Sequence, residues 1–306
     1  MRERPDLVFA CLGGGAQGVF SAGVLAALEA RGLARRVKKV YGSSCGALTG
    51  ALFLAGKIRR ASPAYVEALA TGGVYNARRL ASLPRLLAKH GFTKRVMEEW
   101  PGILDIDRLH QRLHPFLTPT IRSWGGRLAL LLGDPRSGTV AYEEAGREGL
   151  EKLLAAVAAI PYYPRPVRVS GRSLVDGAVF ATMDAARIIK EAGSDWLIIL
   201  HNESVERGAG QRCKDLAEGL FFLLIGQRTI GSRVLKKLSR HRKELRLLEE
   251  RGRVIHVAPR SLFGVTAFTR SRSRLQKLYE HGRIVGKELS LLLEELNSPA
   301  SRRREG

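Results

Sequence analysis

Short apolar runs, glycine-rich breaks and helical spacings alternate at the start of this chain, and that alternation limits the folds open to it. Leu7 to Leu12 (LVFACL) is an apolar run ended by glycines, as in a buried central strand. Val19 to Arg31 places Val19, Phe20, Ala22, Val24, Leu25 and Leu28 at helical intervals, with Gly32 as the stop. Val37 to Tyr41 reads as a second strand broken by Gly42, and Cys45 to Ala55 as a helix of small residues. Strand, glycine loop, helix, strand, tight turn, helix predicts an α/β fold on a parallel sheet.

The rest of the chain extends this pattern less regularly. Basic, proline-punctuated helical pieces are expected at 61–70, 82–100 and 106–117, followed by a strand pair at Leu128 to Leu132 and Thr139 to Tyr142. Leu150 to Ile160 reads as an alanine-rich helix closed by Pro161, and Val167 to Ser170 and Arg172 to Val175 flank Gly171 as a tight hairpin. Trp196 to Leu200 is another buried strand, and Gln227 to Glu250 a long basic amphipathic helix. Arg253 to Val257 is a last strand and Arg274 to Leu296 a last helix. No internal repeat and no linker rich in Pro, Gly and Ser divides the 306 residues. The expectation is one α/β domain over 1–297, with a mainly parallel central sheet flanked by helices, and a polar tail at 298–306.

Charge and cysteine content narrow the class. A formal net charge of +22 favours an anionic partner: phospholipid headgroups, nucleic acid or phosphorylated small molecules. An arginine-rich proteome is the plainer reading. Aromatic residues are only 7% and do not interleave with the basic runs, which disfavours a nucleic-acid stacking platform. Cys11, Cys45 and Cys213 are odd in number and widely spaced, with no CxxC pair, which argues against a disulfide framework or a zinc ribbon. The longest apolar runs, Leu220 to Ile225 and Leu153 to Ile160, fall far short of a membrane span. The first apolar stretch runs into glycines with no cleavage site, so it reads as a strand, not a signal peptide. A cytoplasmic setting, with peripheral membrane contact, is the expectation.

Three constellations could carry chemistry. Gly13-Gly14-Gly15-Ala16-Gln17-Gly18 lies between a strand and a helix, where bare amides and the helix dipole favour negative charge. It could hold a dinucleotide pyrophosphate, since Gly13, Gly15 and Gly18 match GxGxxG, or the oxyanion of an acyl transfer. It could also be only a tight turn that packs a helix on the sheet. A dinucleotide site wants a carboxylate after the second strand, and Val37 to Gly42 has none. Gly42-Ser43-Ser44-Cys45-Gly46 is GxSxG after a strand and before a helix, the setting of a nucleophile elbow. The turn is so sharp that Gly42 and Gly46 must lack side chains, and it presents Ser44 Oγ at the strand end. Cys45 reads as a small packing residue.

A serine hydroxyl needs a base. His201 and His256 follow buried strands, and Asp176 sits in Leu174-Val175-Asp176-Gly177-Ala178 after a strand. That Asp-Gly could equally be a hairpin turn. His110 and His114, four apart on one helix face, resemble a metal pair without a third ligand. On the residues alone, Asp176 and the two histidines stay open as bases.

Taken in order, Gly13 to Gly18, Gly42 to Gly46 and Asp176 to Ala178 resemble the patatin-like phospholipase family: a glycine-rich oxyanion loop, then GxSxG, then Asp-Gly-Gly/Ala. The stretches Ile103 to Leu113 and Ala155 to Ala178 are similar too, and the resemblance spans roughly residues 6–200. It implies a dyad in which Ser44 is the nucleophile and Asp176 the general base. The amides of Gly13, Gly14 and Gly15 would form the oxyanion hole, with Gly18, Gly42, Gly46 and Gly177 supporting the motifs. It implies a phospholipase A or lysophospholipase type of serine esterase acting on a lipid ester, without cofactor or metal. The family's loop usually carries Arg or Lys where this chain has Gln17, and Ser43 stands where Thr is common.

Two other readings stand beside it: a Ser-His-Asp esterase using His201 or His256, and a weakly active basic protein that binds lipid. The helix at 227–250 could lie on an anionic bilayer or pack on the sheet. The Arg-rich 78–95 segment could be a lid or a packed helix. No acidic cluster of the EF-hand type points to calcium.

Overall fold

The structure, a computed structural model, describes residues 6–71, 81–91, 106–117, 126–145, 149–159, 166–193, 196–203, 220 and 228–296. Among these, eight strands form one sheet: β1 (Leu7–Cys11), β2 (Val37–Gly42), β3 (Leu128–Gly133), β4 (Val140–Glu144), β5 (Val167–Val169), β6 (Arg172–Asp176), β7 (Trp196–Leu200) and β8 (Val254–Val257). The strands β3-β2-β1-β7-β8 run parallel in that order. β4 and β6 both pair antiparallel with β3, and β5 pairs antiparallel with β6.

β1 is central because it can be buried on both faces: all five of its residues are apolar and buried. Leu7, Phe9 and Cys11 join one apolar layer, Val8 and Ala10 the other. The first layer holds α1 (Val19–Ala30), α2 (Cys45–Leu54), α3 (Ile58–Ala70), α5 (Ile106–Leu117), α6 (Leu150–Val157) and α9 (Arg272–Glu295). Phe9 meets Phe53 of α2 edge-on at 5.6 Å. Each ring buried this way contributes roughly 1.5–3 kcal/mol. α9 lies along α1 so closely that a Cβ on Gly286 would come 2.5 Å from the Val24 carbonyl oxygen. The second layer holds α7 (Ala185–Ala192) and α8 (Arg228–Arg251). Among the described side chains of the short α4 (Leu83–His90), none joins either layer. The molecule is a mixed α/β single domain with a central sheet flanked by helices.

Most elements fall within a residue or two of the expected spans, the usual uncertainty of element ends. α3 begins at Ile58, earlier than the expected 61. α7 has no counterpart in the expectations; Asp184 caps it, its side chain accepting from the Arg187 amide at 3.1 Å. The hairpin falls at Ser170 and Gly171, whose φ values of 48° and 78° are those of a type I′ turn. Asp176 therefore ends a strand and is not a hairpin turn. The carboxyl-terminal part of α8 packs inward: Leu248 is buried, and Leu245 and Leu247 pack against the second layer, whereas Leu235 nearer its start is 37% exposed. His114 pairs with Glu151 at 2.8 Å. The rest of the 82–100 piece beyond Gly91, most of the Leu220 to Ile225 run, Cys213 and the 298–306 tail lie outside the described residues.

Parallel order has one consequence for function. The segments that follow β1, β2, β7 and β8 all emerge at the same edge of the sheet, the carboxyl ends of the strands, where α/β proteins place their sites.

Candidate active site

The glycine loop leaves β1 with Gly14 at φ 153° and Gly15 at φ 59°, conformations closed to most side chains. Residues Gly15–Gly18 then form one 3-10 turn that feeds α1. β2 ends at Gly42, and Ser44 caps α2 with φ 51° and ψ −131°. Ser44 is a non-glycine residue at positive φ, held by the surrounding bonds. The Ser43 amide donates to the Cys11 carbonyl at 3.0 Å, and the Gly46 amide to the Ser43 carbonyl at 2.9 Å. The elbow is pressed against the end of β1: a Cβ on Gly46 would meet the Leu12 carbonyl oxygen at 2.5 Å, and one on Gly42 would meet Ala47 Cα at 2.5 Å. Gly18 sits as close to Cys45, and Gly177 to Leu131.

These approaches bring the three motifs together. A Cβ on Gly13 would lie 3.0 Å from Ser44 Cβ, 3.7 Å from its Oγ and 3.6 Å from Ala178 Cβ. Asp176 ends β6 opposite Leu132 of β3, and its amide donates to the Ala159 carbonyl at 2.9 Å. Its carboxylate accepts from the Ala178 amide at 2.9 Å, capping a short 3-10 turn at Gly177–Val179. The side chain is 1% exposed. Burial pushes its pKa up to about 7, against the lowering effect of the Ala178 amide, the Ser44 hydroxyl and amide, and the positive charge of Lys237. The Ser44 hydroxyl and amide thus lie beside a carboxyl group whose pKa burial raises to about 7.

Neither imidazole occupies that place. His201 Nε2 and His256 Nδ1 are hydrogen-bonded to each other at 3.0 Å, their rings stacked with centroids 5.3 Å apart. Burial, then the neighbouring His256 and His241, push the pKa of His201 down to about 3; burial lowers that of His256. Cys45, next to Ser44, is buried, and desolvation raises its thiol to about 12, so it stays protonated. The Gly15 amide reaches its sulfur.

Two further groups hold the site, and no motif marks either. Asn202, two residues past the end of β7, is 1% exposed. Its Oδ1 accepts from the Ser21 amide at 3.2 Å and the Ser21 hydroxyl at 2.7 Å, while its Nδ2 donates to the Leu12 carbonyl at 2.7 Å and toward Cys45 Sγ at 3.7 Å. One amide thus ties the start of the glycine loop to α1 and to the elbow. The second group is the segment after β8. The Ala16 amide donates to the Ala267 carbonyl at 2.9 Å, and Gln17 Nε2 to the Val265 carbonyl at 3.4 Å. Gln17 is 6% exposed, and its side-chain amide anchors a neighbouring loop. Replacing Asn202 by leucine strands the buried Ser21 hydroxyl and Leu12 carbonyl. We expect it to lower unfolding stability by about 2–4 kcal/mol in urea titrations, whereas a surface polar-to-leucine change on α9 leaves it within about 0.5 kcal/mol.

The fold and the site define an α/β protein whose GxSxG elbow faces a buried aspartate across a glycine-rich loop. A family model described as Patatin-like phospholipase matches residues 9–187, more than half of the chain. The chain belongs to the patatin-like phospholipase family, and lipid acyl hydrolysis is the activity that membership carries at family level. Among solved structures, the crystal structure of VipD from Legionella pneumophila aligns with 96% of this chain and 67% of its own, at 11% identity and a TM-score of 0.46. Comparison with curated proteins finds no match.

Proposed function

We propose that this chain hydrolyses carboxylic esters of lipids, as a phospholipase A or lysophospholipase type of serine esterase, through an acyl-enzyme on Ser44. One observation carries the reading. Ser44, at positive φ at the head of α2, turns its hydroxyl and amide to a fully buried Asp176 with a pKa raised to about 7. A base poised near the working pH accepts a proton most effectively.

In this mechanism the ionised Asp176 takes the hydroxyl proton as Ser44 Oγ attacks the ester carbonyl carbon. The resulting oxyanion rests on the amides of Gly13, Gly14 and Gly15. Collapse breaks the bond to the alcohol oxygen, and Asp176 gives its proton to that leaving group. Water then attacks the acyl-enzyme while Asp176 takes its proton. The proton passes to Ser44 as the fatty acid leaves. No step calls on a cofactor or metal.

The hydrolase unit extends to 297 in this proposal, well beyond the family match. The reason is that α9 packs along α1 and the segment after β8 bonds to the glycine loop. A cytoplasmic, membrane-peripheral setting belongs to the same proposal, consistent with free thiols at Cys11 and Cys45.

The test is labelling with a fluorophosphonate followed by peptide mapping. The expected result is modification of Ser44 in the wild type and none in Asp176→Asn. Labelling that survives Asp176→Asn but disappears in His256→Ala or His201→Ala would establish the Ser-His-Asp alternative. A folded protein that never labels would be a basic lipid binder.

A further inference from the structure

The segment 258–271, between β8 and α9, combines three properties found together nowhere else among the described residues. It is bonded to the glycine loop through Ala267 and Val265, and Gly15 lies so close that a Cβ there would meet the Ala267 carbonyl oxygen at 2.6 Å. It exposes two large aromatic side chains, Phe263 at 41% and Phe268 at 43%. It carries Arg260 and Arg270, both exposed, and runs into the exposed Arg272 and Arg274 at the start of α9; of these, Arg260 pairs with Glu288 at 3.4 Å and Arg272 with Glu67 at 3.1 Å at the surface.

The loop is built, not slack. Phe263 is at φ 49°, its amide donates to Ser261 Oγ at 3.2 Å, and its ring meets His281 of α9 edge-on at 5.7 Å. The Arg260 amide donates to His281 Nε2 at 3.1 Å, and the Thr266 amide to Thr269 Oγ1 at 2.8 Å. Val265, between the two aromatics, is buried and anchors the turn. Two large aromatics and flanking arginines on one short, fixed loop form a mixed apolar and cationic surface.

We infer that residues 258–271 form an interfacial docking loop that seats the catalytic edge of this protein on an anionic lipid surface. The choice of a bilayer rests on the lipid esterase reading and on charge. Aromatic rings enter the headgroup boundary while flanking arginines pair with anionic lipid phosphates. No helix among the described residues is long and apolar enough to cross a membrane, so docking would be peripheral. The carboxyl-terminal part of the basic helix α8 is the weaker candidate, because Leu245, Leu247 and Leu248 face the sheet. Docking through the loop would also bring the glycine loop, to which it is bonded, toward the surface that holds the substrate.

The test measures co-sedimentation of the full chain with phosphatidylcholine vesicles, with and without about 30% phosphatidylglycerol. Ser44→Ala is measured in parallel, so that binding is read without catalysis. We expect Ser44→Ala to bind the anionic vesicles as the wild type does, and Phe263→Asn with Phe268→Ser to bind roughly tenfold more weakly. Asparagine is chosen at 263 because it tolerates the left-handed backbone there. Arg270→Glu is expected to weaken binding to anionic vesicles alone, and raising salt from about 0.1 M to about 1 M to weaken it further. Hydrolysis of a soluble short-chain ester by the phenylalanine variant should stay within about twofold of wild type, which also reports that it is folded. Wild type that ignores both vesicles, or a phenylalanine variant that binds normally, overturns the inference. So does loss of binding in Arg242→Gln with Lys243→Gln on α8 alone. Failure of the esterase reading would show separately, as absent hydrolysis of the soluble ester.

Discussion

Ser44→Ala is expected to lower kcat/KM for ester hydrolysis on the order of 10⁴-fold or more, and Asp176→Asn by about 10²–10⁴-fold or more, with the two changes together no worse than Ser44→Ala alone. Residues that act as one unit are not additive, so the double variant tests the dyad more sharply than either single one. The pH dependence identifies the base. Asp176 accepts a proton only when ionised, and its pKa lies at about 7 in the folded chain. Wild-type log kcat/KM should therefore rise with unit slope up to about pH 7 and level off above it. A protein using the histidines would behave differently, because burial holds both pKa values down and His201 titrates near 3. A flat profile between pH 5 and 8, or a rise that persists in Asp176→Asn, would transfer the base role elsewhere; pH–rate measurements on a soluble ester decide it.

The same burial predicts that Asp176→Asn makes the protein more stable while making it inactive. The folded-state pKa of about 7 stands above the ordinary value of 3.8. Between those two values the folded chain holds a proton that the unfolded chain has released. Stability therefore falls as pH rises through that window and is flat above it. At pH 8 the ionised carboxylate costs up to about 4 kcal/mol relative to a neutral group. Asparagine stays neutral and keeps an oxygen to accept from the Ala178 amide. Part of the gain is offset because its NH₂ needs an acceptor of its own. We expect Asp176→Asn to be more stable by about 2 kcal/mol at pH 8, with the difference shrinking toward pH 5. Thermal unfolding of both proteins across that range is the measurement. A destabilised variant with a pH-independent deficit would mean that the carboxylate is held by partners strong enough to outweigh its burial.

Much of the fold is written locally. A GxSxG between an apolar run and a helix leaves one steric solution, and Ser44 at φ 51° adopts it. LVFACL suits a strand buried on both faces, and β1 is that strand. The hairpin is legible because Ser170 and Gly171 sit between two short β-like runs. Helix α7 escaped because no glycine or proline separates it from the Asp-Gly segment before it; its one local sign is the capping residue Asp184. Choosing among Asp176, His201 and His256 is beyond any local pattern, since all three lie at or near strand ends: Asp176 ends β6, His201 follows β7 and His256 is the last residue but one of β8.

The sequence by itself determined the order of strands, loops and helices and the position of the elbow, because backbone sterics and apolar spacing act over a few residues. Only the tertiary structure decided which carboxylate faces Ser44 and that two imidazoles pair with each other instead. It also decided that Asn202 reaches Ser21 across 181 positions and Gln17 reaches Val265 across 248. The proximity of distant side chains and the desolvation that shifts Asp176 arise only when the strands are packed. Both are properties of the assembled sheet edge, and no short stretch of chain carries them.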